Sequence, residues 1–289
     1  MLANAKAIQI FLPNGDPRGI RVAEMTTRIV RVVEVPRSLV GDFLALPEAK
    51  QIGIYFLVGD GDEAENPLLY VGQSGGAGDR IGSHNKTKDF GNRALIAVSH
   101  TNSLTQTHGL FLEWVAIRDV LAAERYTLEN GNAGTQPYTP APLQSDCVEI
   151  HETIGTLVAT FGYPIFMPLA GRAKSVITIE AEERFYCKAS GSIGVGLYTG
   201  EGFVVLAGSM RRGEVVASMK GTLFERSRKI LLEAGVAKMD GGAFIFLKDH
   251  LFGSPSAAAF VVTGRSTNGR VEWKDKNGRT LDELKRQAG

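Results

Sequence analysis

Side chains able to do chemistry gather in one part of the chain: phenols at Tyr55 and Tyr70, a guanidinium at Arg80, an imidazole at His84, a carboxylate at Glu113 and a carboxamide at Asn130 or Asn132. Each tyrosine ends or begins a short apolar stretch carrying a glycine, Gly53-Ile54-Tyr55 and Tyr70-Val71-Gly72. Arg80 and His84 stand four residues apart, a spacing that places two side chains on one helix face. An arginine fork can hold an anionic oxygen, a histidine can take or position a proton near neutral pH, and a carboxylate can hold a hard divalent cation. A free phenol has a pKa of about 10, so a tyrosine serves as a base near neutrality only where positive charge lowers it. Singly, each residue has an ordinary structural reading: packed aromatic, solvated cation, or carboxylate at the margin of an apolar stripe. Only their joint order argues for chemistry.

The elements that must position them are short. Residues 52–58, 68–72 and 94–99 are apolar, β-branched and aromatic, which suits strands. Asp79 is placed to cap a helix over about 80–86, and Ser103 with Gln106 has capping-box spacing before a helix of about 105–124. In that helix Leu110, Trp114, Ile117 and Leu121 recur at helical spacing as the expected buried stripe, with Glu113 at its edge. Ahead of this region, 7–12 and 26–35 read as strands around the turn 13–19, with a short helix at 37–46, giving a small N-terminal β element over 1–48. Behind it, the proline-, glycine- and polar-rich stretch 130–145 is the expected linker, followed by a helix at 147–161 and a strand near 163–166.

The order Gly53-Ile54-Tyr55, Tyr70-Val71-Gly72, Arg80, His84, Glu113 and a following asparagine resembles the GIY-YIG endonuclease family. The resemblance covers about residues 50–132. It implies a small three-stranded antiparallel sheet flanked by helices, within an α+β protein, and cleavage of phosphodiester bonds with one divalent ion, Mg²⁺ or Mn²⁺. It further implies Tyr55 acting as or assisting the general base, Tyr70 orienting water or phosphate, Arg80 holding a phosphate oxygen, His84 accepting the Tyr55 proton or positioning it, and Glu113 holding the metal. For the asparagine both Asn130 and Asn132 serve, with Asn130 preferred. Gln73 follows Tyr70-Val71-Gly72 where some family members carry lysine, so Arg80 or Lys86 must supply more of the positive charge here.

Residues 184–289 read as a separate mixed α/β domain after a connecting region over 133–183. Its expected elements are strands near 202–207 and 243–247, a helix at 222–234 closed by Gly235, a helix capped by Ser254-Pro255 and ended by Gly264, and a last helix with a Thr280/Glu283 capping box. The stretches 201–209, 254–259 and 264–269 and the pair Trp273-Lys274 resemble an uncharacterised domain often appended to GIY-YIG nucleases. Net charge is +1, but residues 200–289 hold 15 Lys and Arg against 10 Asp and Glu, while residues 1–199 hold 17 against 21. Basic side chains gather around two turns, with Arg265, Arg270, Lys274, Lys276 and Arg279 and the nearby Asn268 as candidate DNA contacts.

Other patterns are set aside. The acidic loop 60–65 fails the EF-hand ligand pattern and is expected to be a hairpin connection. Gly191–Gly196 lacks the Lys-Ser/Thr of a phosphate loop and is expected to be a flexible strand end. Cys147 and Cys187 match no zinc spacing and are expected to be buried, and His100, His108, His151 and His250 show no ligand spacing. No apolar run reaches the roughly 18 residues that span a bilayer, and the N-terminus lacks a signal-peptide core, so the expected location is cytoplasmic, with no membrane partner. The leading expectation is a metal-dependent DNA endonuclease serving restriction, phage defence or repair. Its rivals are a nucleic-acid-binding protein with a silent nuclease site, and an RNA or small-nucleotide phosphodiesterase.

Overall fold

The computed structural model describes residues 5–59, 67–87, 91–130, 133–168, 183–189, 191–212 and 223–286. The chain divides into two compact units, Met1–Met167 and Pro168–Gly289. It is a mixed α+β protein with one main sheet in each unit.

In the first unit the strands are β1 (Gln9–Phe11), β2 (Arg21–Glu24), β3 (Val30–Pro36), β4 (Gly53–Gly59), β5 (Leu68–Ser74), β6 (Arg93–Ser99) and β7 (Thr127–Leu128), in the spatial order β1-β2-β3-β6-β4-β5-β7. All described pairings are antiparallel except β5 with β7. The expected run of three strands is present as β6-β4-β5, but inside a sheet of seven. The N-terminal strands do not form an element apart: β3 pairs with β6 along its whole length, Val30 opposite Ser99 through Pro36 opposite Arg93. β2 was not expected, because its four residues have the arginine and glutamate of Arg21-Val22-Ala23-Glu24 at both ends.

Helices cover both faces. On one, Ile54, Phe56 and Val58 of β4, Leu69 and Val71 of β5 and Leu95 and Ala97 of β6 pack under α3 (Gln106–Ala123) and α4 (Ala141–Thr160). On the other, Tyr55, Leu57, Ile96 and Val98 pack under α1 (Val40–Leu44) and α2 (Ala77–Thr87). A sheet covered on both faces needs strands apolar at consecutive positions, which is why all of β4 is buried.

Several helix expectations are corrected. α2 begins at Ala77, so Asp79 lies in its first turn instead of capping it. The cap of α3 is Thr105, whose capping box is closed by His108; Ser103 instead bonds Ser99. Leu110 and Leu121 are exposed, and the buried face of α3 runs through Phe111, Leu112, Val115, Ala116, Ile117 and Val120. The helix is apolar around most of its circumference, so spacing alone does not select the face. α4 starts at Ala141, with Pro142 in its first turn, which shortens the expected linker. Residues 163–166 form no strand: Pro164 interrupts them, and Ile165 and Phe166 pack into the core as a turn.

The second unit holds β8 (Arg184–Ala189), β9 (Ser192–Thr199), β10 (Gly202–Val205), β11 (Met210–Arg212), α5 (Leu223–Glu233), β12 (Ala237–Asp240), β13 (Ala243–Phe246), β14 (His250–Phe252), α6 (Pro255–Thr263), α7 (Gly269–Glu272) and α8 (Leu281–Arg286). Its sheet runs β12-β13-β11-β9-β10-β14, with β8 also paired to β9. Ser254 caps α6 through a bond from the Ala257 N–H, and Gly264 ends it with φ +67°, as expected. The stretch Gly191–Gly196 is not a loose strand end: a Cβ at Gly194 would lie 2.7 Å from Val262 and 2.9 Å from Trp273, so the residue is glycine to admit the fully buried indole. Cys147 and Cys187 are buried free thiols, pushed up by burial to about 11 and about 12. The acidic loop 60–65 and Asn132 lie outside the described residues. Among those described, no helix is long and apolar enough to cross a membrane.

Candidate functional site

The strand register sets the two phenols on one face. Tyr55 lies opposite Gly72, and Tyr70 lies opposite Leu57, two residues further along β4. Directly opposed residues share a face, as do residues two apart on one strand. Tyr55 and Tyr70 are therefore diagonal neighbours, with ring centroids 6.2 Å apart and planes 29° from parallel. The glycines make this approach possible. A Cβ on Gly72 would collide with Oη and Cζ of Tyr55, whose ring lies across that position, and a Cβ on Gly53 would stand 2.6 Å from the Ala97 carbonyl of β6.

Helix α2 crosses this face and adds the imidazole and the guanidinium. Tyr55 Oη and His84 Nε2 are 3.0 Å apart, and the His84 ring also lies 5.0 Å from that of Tyr70. Gly78 lets the helix settle, since a Cβ there would lie 2.9 Å from Leu44 and 3.0 Å from Ala49. Arg80, one turn before His84, is exposed.

Glu113 comes from the helix on the opposite face of the sheet and reaches the site around an open edge. β7 pairs with β5 only at Leu68 and Leu69, so the outer edge of β5 beyond that point needs other partners. Asn130 supplies one, accepting the Val71 N–H at 2.8 Å and donating to the Val71 carbonyl at 2.6 Å, as a strand residue would. The Glu113 carboxylate supplies the next, accepting the Gln73 N–H. The carboxylate that terminates the edge and the carboxamide that extends it thus flank the strand bearing Tyr70 and Gly72. Gln106 donates to the Gln73 side chain at 2.7 Å, which braces the same residue. Its place in the site had no sequence signal, because the contact depends on how α3 docks against β5.

The electrostatics converge on Tyr55. Its phenol is fully buried and is held far above the ordinary range, first by burial and next by the neighbouring Tyr70; Arg80 opposes this and Glu113 adds to it. Burial likewise raises the Glu113 carboxyl, partly offset by the Gln73 N–H and by Arg80. Tyr55, Tyr70, Arg80, His84 and Glu113 therefore form one electrostatic neighbourhood, while Asn130 acts on the backbone of β5. The side chain of Lys86 lies outside the described residues.

As a cation site the donor set is spare. Among the described residues no group of three or more His, Cys, Asp or Glu gathers to hold a metal. A lone carboxylate that accepts one N–H keeps further acceptor capacity, which suits an ion such as Mg²⁺ or Mn²⁺ completed by water and substrate oxygens. Four protein ligands, as structural zinc takes, are not what the described residues offer.

In the second unit the expected DNA contacts fall in different settings. Arg265 is ion-paired to Glu272. Asn268 caps α7 by accepting the Arg270 N–H, and the Arg270 guanidinium lies 6.0 Å from the Tyr198 ring. Arg279 pairs with Asp275 at 2.8 Å. Lys274 and Lys276 line an open cleft of about 510 Å³.

Compared with known proteins, residues 185–285 match the family model described as a domain of unknown function, DUF4357. No curated protein and no solved structure matches the chain.

Proposed function

We propose that the first unit is a metal-dependent endonuclease of the GIY-YIG type that hydrolyses phosphodiester bonds in DNA. The observation that carries this reading is the Tyr55–His84 hydrogen bond set beside Tyr70 on adjoining strands, with Arg80 and Glu113 acting on the same phenol. The run β6-β4-β5 flanked by helices is the sheet this family would use.

The residues then divide the work. His84 in its Nδ1–H tautomer accepts the Tyr55 proton at Nε2, leaving a phenolate to take a proton from the attacking water. The water oxygen forms the new bond to phosphorus as the bond to the leaving oxygen breaks. Such proton transfer is worth about 10²- to 10⁴-fold in rate. The raised phenol explains why two residues are needed: alone, Tyr55 would stay protonated at neutral pH. Arg80, exposed on α2, is placed to meet a phosphate oxygen with its fork, and that approaching guanidinium favours the phenolate. Tyr70 orients the water or the phosphate. Glu113 is the protein ligand for Mg²⁺ or Mn²⁺, which when bound compensates charge on the phosphoryl and leaving oxygens. Asn130 is a positioning residue that fixes the course of β5.

Side-by-side incubation with supercoiled plasmid, single-stranded DNA, RNA and a cyclic dinucleotide, with Mg²⁺ and with chelator, tests the reading. Plasmid nicking that chelator abolishes is expected. Cleavage of RNA or the dinucleotide alone would assign the site to another phosphodiester, and DNA binding with no cleavage under any metal would mark a silent site.

A further inference from the structure

The cleft of the second unit has a composition that the turn-centred arginines obscure. On β8, Phe185 and Cys187 point into the core while Tyr186 and Lys188 share the outer face. The chain at Lys274 runs antiparallel to β8 directly opposite Tyr186, with backbone bonds of 2.7 and 3.0 Å in both directions. Opposed residues share a face and so do residues two apart on a strand, so Tyr186, Lys188 and Lys274 share one surface, and with Lys276 from the turn that follows they line the cleft of about 510 Å³.

The carboxylates of that cleft are already engaged. Glu272 is held by Arg265 and by the Thr267 hydroxyl. Asp275 is buried, accepts the backbone N–H of Asn277 and of Arg279 at 2.8 Å each, and pairs with the Arg279 side chain. These two Arg–carboxylate pairs cancel, whereas Lys188, Lys274 and Lys276 are exposed and appear in no ion pair found among the described residues. The surface therefore keeps a positive surplus, tempered at Lys274 by the nearby Glu283 carboxylate, beside a half-exposed phenol ring.

We propose that this cleft binds the phosphate backbone of a single nucleic-acid strand, with Lys188, Lys274 and Lys276 facing phosphates and Tyr186 offering its ring to a base. Mobile ammonium groups suit a backbone of variable course, and aromatic stacking needs an unpaired base. The choice of nucleic acid among phosphate-bearing ligands rests on the nuclease reading above. The binding itself is separable from cleavage.

The test is fluorescence anisotropy of the full chain with a labelled single-stranded oligonucleotide in chelator, so that binding is read without turnover. Replacing the three lysines together by glutamine is expected to weaken binding at least about tenfold and to lower the slope of log K against log salt by about 2. Tyr186→Ala should cost about fivefold or more, and the double variant Arg265→Gln/Glu272→Gln, which removes both members of a neutral pair, less than about twofold. The single variants Lys188→Gln and Lys276→Gln, at exposed positions, keep the test sound should the triple variant lose its fold. Unchanged affinity and slope in the lysine variants, or a duplex bound as tightly as the single strand, would overturn the proposal.

Discussion

In the first unit Arg80 and Glu113 act on a phenol that is fully buried and bonded to His84, whereas in the second Arg265 and Arg279 are spent on Glu272 and Asp275 and the remaining lysines face solvent. The side-chain types are nearly the same. Their surroundings differ: burial removes water from Tyr55, so each nearby charge acts strongly on it, while the open cleft leaves its charges screened and additive. The first arrangement suits proton transfer at one atom; the second suits gripping a flexible polyanion.

Apart from Tyr55 itself, the largest effect should come from Glu113. In the proposed nuclease centre Glu113→Gln is expected to lower plasmid cleavage by about 10²- to 10³-fold. It should also raise the Tm at pH 7. The folded-state pKa of Glu113 lies above its unfolded value, so its contribution to stability is full below that unfolded value and falls as pH rises through the folded one. Glutamine can still accept the Gln73 N–H and avoids burying charge. Full activity, or a lower Tm, would break the contrast between the buried and the open charges.

Gly72→Ala should follow. Its methyl would occupy the space of the Tyr55 hydroxyl, and we expect a loss of about 1–3 kcal/mol in denaturant unfolding together with most of the activity. Asn130→Ala removes both bonds to Val71; a loss of about 1–3 kcal/mol is expected, with faster hydrogen exchange at the Val71 amide. A smaller effect is expected at alkaline pH. The Tyr55 phenol is raised in the folded state, so the stability it contributes is full below about pH 10 and is lost as pH rises through the folded value. Tyr55→Phe should lessen the alkaline decline in Tm. Smallest of all, Arg265→Gln should change Tm by little, since pairs at partly exposed positions contribute about 0–1 kcal/mol.

Much of the proposed site could be read from residue order, but its construction could not. Tyr55, Tyr70, Arg80 and His84 stand on local elements whose spacing is visible, so their shared face follows once β4 and β5 pair. The role of Gly72 emerged only from the register that lays the Tyr55 ring across it. Glu113 was expected at the rim of a stripe whose members were half misassigned, because α3 is apolar on too many sides for spacing to choose its face. Asn130 completes the edge of β5 through a contact 59 residues away in sequence. In the second unit the excess of basic residues was plain, yet which charges cancel depends on the fold of the 264–280 segment. Local propensity does not encode such long-range pairings.

The most direct test is a comparison of wild type and Tyr55→Phe on supercoiled plasmid with Mg²⁺, purified identically and matched in Tm. A phenylalanine keeps the buried ring but has no proton to give His84 and no oxygen to accept one. The account predicts nicking by wild type that falls by about 10²- to 10⁴-fold in the variant. Equal cleavage by the two proteins would contradict it.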